Sequence, residues 1–205
     1  MPKKEYPLLQ LSHFLPEGSF DLVARYLHDY KVHLTITRER RTVLGDYRHA
    51  IRDRNHRISV NGNLNRYAFL ITLVHELAHL VTFEQYGNRV AAHGKEWKHL
   101  YRLLLQNFLG QQLFPDDVEQ ALLKSLHNLP ASSCADEHLM RVLRNHDHPD
   151  TRGTLVEEIP EGSHFVIEGG RVFSKGKKLR KRYQCKELAT GKLYLFSGLY
   201  EVVKL

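Results

Sequence analysis

Two histidines and a glutamate lie close together in an apolar stretch of the sequence, the segment His75-Glu76-Leu77-Ala78-His79. If this stretch is helical, residues i and i+4 lie one above the other, so both imidazoles can reach a single metal ion. Glu76 is then beside the same ion, where it can act as a general base. Nitrogen ligands with one position left for water suit a catalytic zinc ion, so we expect one Zn²⁺ here.

A catalytic zinc ion usually has three protein ligands, so another ligand must come from elsewhere in the chain. We expect it to be His93, which follows a loop and stands at the start of the next predicted helix. The chain can turn back over Gly87-Asn88, and Gly94 allows a close approach of the backbone.

Other residues compete for roles at this site. The rival third ligands are Glu84, Glu96 and His99. Glu84 lies about 140° round the helix from His79 and should point away, whereas Glu96 remains a rival. For stabilising the oxyanion that forms during hydrolysis, the sequence offers only Tyr47, Arg48 and Tyr101 as candidates.

The elements that position these residues follow from the hydrophobic pattern. Apolar residues cover most of the circumference of a predicted helix over 65–86, so we expect it to be buried and to end at Gly87. Before it, the pattern predicts a helix over 19–30 and short strands over 32–37, 42–47 and 57–61. After it, the pattern predicts two amphipathic helices, over 94–109 and 115–128.

The composition changes after Pro130. A short helix around 137–144 and a polar stretch with His146 and His148 are interpreted as a linker rather than a metal site. Strand-like segments follow, with hairpin turns at Gly169-Gly170 and Thr190-Gly191. The predicted strands cover 154–159, 164–167, 171–173, 180–185, 192–196 and 200–204. The pattern therefore predicts an α+β fold with a domain over 1–130, a linker over 131–150 and a small basic all-β module over 151–205.

The H-E-x-x-H motif, followed after a loop by His93-Gly94-Lys95-Glu96-Trp97, resembles the SprT-like, or Spartan-type, zinc metallopeptidases. That family has its third histidine in an H-G-x-x-[FW] context. The upstream order is also similar, because a basic segment with a glycine, 40–48, precedes the strand at 57–61 and the metal helix. The resemblance covers about residues 17–110.

The resemblance implies a minimal zincin-like domain with an edge strand beside the cleft. It implies His75, His79 and His93 as zinc ligands and Glu76 as the catalytic base. The implied activity is that of a zinc metalloendopeptidase acting on protein substrates. In the Spartan-type members these substrates are proteins bound or crosslinked to DNA.

The C-terminal module departs from the family pattern. Many members end in a zinc ribbon built from four cysteines, but this chain has only Cys134 and Cys185. The module is therefore either a ribbon that lost its metal or an unrelated small barrel. With so few cysteines, no disulfide framework is expected, and the compartment should be reducing and cytoplasmic. No apolar run is long enough for a membrane span, and no signal peptide is expected.

The net charge of +7 points to polyanionic partners. The run Arg171–Lys186 contains no acidic residue, and Phe173 and Tyr183 within it offer rings that could stack on bases. A second basic stretch covers Arg38–Arg57. We therefore expect DNA contact through both stretches. The alternatives are a zinc-containing DNA-binding or transcription-associated protein with little or no peptidase activity, and a purely structural four-ligand metal domain.

Overall fold

The computed structural model describes residues 7–40, 43–52, 54–127, 129, 136–149 and 152–205. The fold mixes helices with two β-sheets, as the sequence predicts. The chain divides into two compact units, Met1–Asp147 and His148–Leu205, which we call unit 1 and unit 2.

Unit 1 contains five α-helices and three strands among its described residues. A 3₁₀ helix, Leu8–Phe14, precedes α1 (Phe20–Asp29), β1 (His33–Thr37), β2 (Gly45–Arg48), β3 (Arg57–Asn61), α2 (Arg66–Tyr86), α3 (Lys95–Gln106), α4 (Asp116–His127) and α5 (Glu137–Arg144). The predicted helices are confirmed with ends that differ by at most a few residues. The strand predicted over 42–47 begins later, at Gly45, and Thr42 lies outside the described residues.

Helix α2 is the centre of unit 1. Its side chains from Ala68 to Ala78 are all buried, because apolar residues surround the helix on every side. Asn65 caps its start: the Asn65 side-chain oxygen accepts hydrogen bonds from the backbone N–H groups of Tyr67 (3.1 Å) and Ala68 (2.9 Å). The H-E-x-x-H motif therefore lies in the most extensively buried of the described helices of the unit.

The three strands of unit 1 form one sheet in the order β1-β3-β2. β1 runs parallel to β3 and β2 runs antiparallel to it, with Tyr47 opposite Ile58 and Gly45 opposite Val60. Ile58 and Val60 are buried, and α2 packs against β2 and β3. β2 is thus an edge strand that lies directly against the helix of the H-E-x-x-H motif.

Helix α5 belongs to unit 1, although the sequence assigned it to a linker over 131–150. Asn65 Nδ2 donates hydrogen bonds to the carbonyl oxygen of Leu143 (2.9 Å) and to Asp147 Oδ1 (2.6 Å). His146 Nε2 lies 3.1 Å from both carboxylate oxygens of Asp117. The polar stretch thus fastens α5 to α2 and α4. Cys134 and Asp150 lie outside the described residues.

Unit 2 is a six-stranded antiparallel sheet in the order β4-β9-β5-β6-β7-β8. Its strands are β4 (Thr154–Leu155), β5 (His164–Val166), β6 (Val172–Leu179), β7 (Arg182–Glu187), β8 (Leu193–Ser197) and β9 (Glu201–Lys204). Phe165, Phe173 and Phe196 form its core together with the buried Cys185. β6 extends six residues beyond the predicted strand at 171–173 because its far half is exposed and lysine-rich, and so lacks an alternating apolar pattern.

Among the described helices, none combines the length and the apolar character that crossing a membrane requires.

Candidate metal centre

Three imidazole rings of unit 1 point their Nε2 atoms at a common point. The Nε2 atom of His75 lies 3.2 Å from that of His79 and 3.3 Å from that of His93. One ring nitrogen from each histidine lies within 4.8 Å of the other two. The three residues that the sequence singled out as metal ligands are therefore brought together, two from α2 and one from the loop before α3.

The geometry and protonation of the three rings fit a divalent metal ion. Tetrahedral ligands about 2.0–2.1 Å from a zinc ion are separated by about 3.3–3.4 Å, close to the observed Nε2 separations. Burial, followed by the neighbouring imidazoles, lowers the pKa of His75 to about 3, and burial next to His93 lowers that of His79 to about 4. Burial also lowers the pKa of His93. All three rings are thus neutral near pH 7, which is the form that binds metals.

A sharp turn after α2 places His93 opposite the other two rings. Gly87 has a φ of +60°, a conformation that favours glycine, and its N–H donates to the carbonyl oxygen of Phe83 at the end of α2. A short 3₁₀ helix, Gly87–Arg89, follows, and α3 then begins after Gly94. The predicted return of the chain over Gly87-Asn88 is confirmed.

Trp97 is the packing surface behind the three histidines. Its ring centre lies 4.7 Å from that of His75, 5.2 Å from that of His79 and 4.8 Å from that of His93. The side chain is completely buried and stacks on Tyr101 at 4.9 Å. Nδ1 of His75 is buried and has no hydrogen-bond partner among the described residues, so packing, rather than a hydrogen bond, orients this ring.

Glu76 lies on α2 next to His75 and is 6% exposed. Burial raises the pKa of its carboxyl group to about 8, the carboxylate of Asp46 raises it too, and the Arg40 guanidinium acts in the opposite direction. Gly45 of β2 makes room for this side chain: a Cβ atom there would stand 2.5 Å from Glu76 Oε1 and 2.8 Å from Thr72 Cγ2. A buried carboxyl group with a raised pKa is suited to accept a proton near neutral pH.

The rival ligands do not join the three histidines. Glu84 Oε1 lies 3.2 Å from His56 Nε2, Glu96 lies beside Lys95, and His99 is exposed. Among the residues that the structure describes, the three histidines are the one group of His, Cys, Asp and Glu side chains that could hold an ion. The described part of the chain therefore offers no fourth protein ligand, which leaves a position open for water or substrate.

The structure also contains a hydrogen-bonded group that the sequence did not reveal. His56 Nδ1 lies 2.8 Å from the Tyr47 hydroxyl and 3.3 Å from the backbone N–H of Ala50, and Nε2 faces Glu84. Because the backbone N–H must donate, Nδ1 is an acceptor and the ring proton is on Nε2. No spacing in the sequence links these residues, which come from β2, the following loop and α2.

Two of the three oxyanion candidates have hydrogen-bond partners away from the three histidines. The Tyr47 hydroxyl is bonded to His56, and Arg48 Nε donates to Asp46 Oδ2 at 2.9 Å. Tyr101 is 4% exposed beneath Trp97, and its ring meets that of His75 edge-on at 5.6 Å.

The basic run of unit 2 separates into buried and exposed parts. Arg171 pairs with Glu187 at 2.7 Å, and Lys175 is buried, with its ammonium group donating to the carbonyl oxygen of Ile159. The cations at the end of the β6–β7 hairpin are exposed and have no acidic partner in the described part of the chain; they are Lys177, Lys178, Arg180, Lys181 and Arg182. We call these five residues the hairpin tip.

The expectation that Phe173 and Tyr183 offer rings for stacking on bases is not supported by their surroundings. Phe173 is completely buried and packs on Phe165 and Phe196. The Tyr183 ring lies 4.4 Å from the ammonium group of Lys175. Both rings belong to the packing of unit 2, because alternation along β6 and β7 turns them inward.

Comparison with known proteins gives one match. Residues 18–117, slightly less than half of the chain, match the model of the SprT-like family. This range contains the three histidines and Glu76. No curated protein and no solved structure matches the chain.

Proposed function

We propose that unit 1, in which residues 18–117 match the model of the SprT-like family, is a zinc-dependent metalloendopeptidase with a minimal zincin-like fold. His75, His79 and His93 would hold one zinc ion. The observation that carries the proposal is the convergence of three neutral imidazoles, with Nε2 of His75 3.2 Å from that of His79 and 3.3 Å from that of His93, next to a buried carboxyl group. A structural four-ligand site has no use for such a carboxyl group.

Each residue has a defined part in hydrolysis. A bound zinc ion would act as a Lewis acid that polarises the scissile carbonyl group and makes water more acidic. Glu76 takes the proton from the attacking water and delivers it to the leaving nitrogen. The cation would also lower the pKa of Glu76 from its raised value, so that the carboxylate form is present at neutral pH. Gly45 leaves the space in which this carboxylate can move between water and leaving group.

The test is the Glu76→Gln variant, which keeps the size of the side chain and removes the base. We expect the variant to bind one zinc ion, measured by atomic emission, and to lose about 10²–10⁴-fold in the rate of casein hydrolysis. A variant as active as the parent would rule out Glu76 as the base. A zinc-loaded parent that cleaves neither free nor DNA-bound proteins would favour the alternative, a zinc-containing DNA-binding protein without peptidase activity.

We further propose that the substrates are proteins bound to DNA and that the hairpin tip of unit 2 would contact the DNA. Five exposed cations without acidic partners form a surface that attracts phosphate groups. Phosphate contacts place a protein on DNA without reading its sequence, as a peptidase for diverse DNA-bound proteins requires.

The salt dependence of binding to single-stranded DNA tests this contact. Changing Lys177, Arg180 and Lys181 to Gln should reduce the slope of log K against log salt by about 2, since each phosphate contact contributes about 0.7. The matched control neutralises Arg25, Arg66 and Lys124, which are exposed on helices of unit 1. Equal slopes for both triple variants would exclude the hairpin tip as the contact.

A further inference from the structure

The outer face of the sheet in unit 1 carries polar side chains in register. Thr35 of β1 lies opposite Ser59 of β3, and Ser59 lies opposite Asp46 of β2. In the next row on this face, Arg57 of β3 lies opposite Arg48 of β2. Alternation turns these side chains away from α2, because their neighbours Ile58 and Val60 are the buried ones. The face forms a groove of about 200 Å³, lined by Thr35, Thr37, Arg40, Asp46, Arg48, Arg57, Ile58 and Ser59.

The groove holds more positive than negative charge. Arg40 donates to Asn61 Oδ1 (2.8 Å) and Ser59 Oγ (3.0 Å), and its other acceptors are backbone carbonyl groups, so no carboxylate neutralises it. Asp46 is the one acid among the described lining residues, and Arg48 pairs with it. The groove thus contains three guanidinium groups against one carboxylate.

Arg57 has a donor without a partner. Its Nε atom is buried and makes no hydrogen bond among the described residues. Leaving a charged donor unsatisfied away from water is costly, so a buried guanidinium N–H usually has an acceptor. Arg57 also lines the groove, so an anion held there by its guanidinium group would lie next to this unpaired donor.

A second groove of about 370 Å³ adjoins the first at Arg57. Its described lining residues are His49, Ile51, Arg52, Arg54 and Arg57, none of which is acidic. Arg57 therefore stands between two basic grooves, and a molecule that carries an anionic group in one could extend into the other.

We propose that the outer face of the sheet is a phosphate-binding site, in which Arg48 and Arg57 bind the phosphate oxygens and the hydroxyl groups of Thr35 and Ser59 donate to them. Planar guanidinium groups bind phosphate through paired hydrogen bonds, and several donors on one face suit its three or four oxygens better than a flat carboxylate. The phosphate belongs either to a free mononucleotide or to a nucleic-acid backbone. The proposal does not depend on peptidase activity or on metal binding.

The experiment uses the full ¹⁵N-labelled chain, titrated with inorganic phosphate, thymidine 5′-monophosphate and a dT12 oligonucleotide. We expect phosphate and the mononucleotide to shift the backbone amide signals of Asp46, Arg48 and Ser59 most. Arg48→Gln with Arg57→Gln should weaken mononucleotide binding at least tenfold. The control with Arg25→Gln and Arg66→Gln, which removes the same charge from helices α1 and α2, should leave it unchanged.

Three results separate the outcomes. Equal mononucleotide affinity of the double variant and the parent, or shifts confined to other residues, would overturn the proposal. An oligonucleotide bound more than tenfold tighter than the mononucleotide, with both weakened by the double variant, identifies a nucleic-acid backbone; equal affinities identify a free nucleotide. If the double variant is unfolded by circular dichroism, the single variants Arg48→Gln and Arg57→Gln replace it, and each should weaken mononucleotide binding.

Discussion

Helix α2 contributes residues to two groups of side chains, each built around histidine, that differ in how the ring nitrogens are used. In the first group, His75, His79 and His93 direct their Nε2 atoms at one another. The second group is formed by His56 and its partners, among them Glu84, which lies on α2 beyond the H-E-x-x-H motif. Here each ring nitrogen of His56 has its own partner. Nδ1 accepts from the Tyr47 hydroxyl and the Ala50 N–H, and Nε2 faces Glu84.

The difference shows how a structural histidine can be told from a metal ligand. Hydrogen bonds to different partners account fully for the position of His56, which fixes the loop after β2 to the end of α2. Converging Nε2 atoms of neutral rings can bond to one another only if some of the rings carry their proton on Nε2, because each neutral imidazole has one donor and one acceptor nitrogen. A cation at their centre satisfies all three acceptors. The two groups should therefore respond differently to substitution.

The largest expected difference is in metal affinity. His79→Asn should weaken zinc binding more than about 100-fold, because loss of a direct ligand costs more than the 10–100-fold typical of residues behind the ligands. His56→Asn should leave zinc affinity unchanged. Competition with a chromogenic chelator measures both variants. Retained zinc affinity in His79→Asn, or its loss in His56→Asn, would reverse the assignment of the two groups.

The next effect concerns the space around Glu76. Gly45→Ala would place a methyl group 2.5 Å from Glu76 Oε1, so the carboxyl group must shift. A displacement of about 1 Å can cost roughly 10²-fold in rate, and we expect hydrolysis to fall 10–100-fold with zinc content intact. His56→Asn, which changes the other group, is the control, and we expect it to keep the parent's rate. Full activity of Gly45→Ala would show that the position of Glu76 tolerates this shift.

The first group, His75, His79 and His93, should make the stability of the metal-free protein depend on pH. Burial lowers the pKa of His75 to about 3 and that of His79 to about 4, from an ordinary 6.5. Between pH 6.5 and 4 the unfolded chain binds protons that the native state does not, so metal-free protein should lose stability as the pH falls. Each histidine contributes at most about 1.4 kcal/mol per pH unit.

Urea unfolding of metal-free protein at pH 7, 6 and 5 measures this effect. The Glu76→Gln background is used because the raised pKa of Glu76 acts in the opposite direction, reducing stability as the pH rises towards 8. Adding His79→Gln should make the pH dependence shallower, and adding His56→Asn should not. An unfolding free energy that does not change from pH 7 to 5 would contradict the prediction.

The smallest effect is on the hydrogen bonds of the second group. Tyr47→Phe removes the hydroxyl that donates to His56 and should lower the free energy of unfolding by about 1 kcal/mol at neutral pH. Tyr86→Phe, a partly buried tyrosine on α2, serves as the comparison for loss of a hydroxyl. Urea unfolding of the zinc-loaded protein gives both values. A loss of zinc or activity in Tyr47→Phe would place this group within the metal site.

Much of the fold was predictable from local pattern. The bounds of α2 follow from a helix that is apolar all round, an asparagine cap and Gly87, which are all local features. The far half of β6 was missed because exposed lysines give no alternation, and α5 was assigned to a linker because its fastening to Asn65 spans about 80 residues of sequence. Local periodicity carries no information on such a contact.

The sequence alone determined that His75 and His79 on α2 can reach one metal ion, because helical geometry fixes what residues four apart can reach together, and it made His93 the leading candidate for a third ligand. Tertiary structure placed Nε2 of His93 3.3 Å from Nε2 of His75. It also packed Gly45 next to Glu76 and paired Glu84 with His56. It also gathered the arginines of separate strands on one face of the sheet. Positions within one helix follow from the backbone repeat, whereas contacts between elements depend on how their buried faces pack.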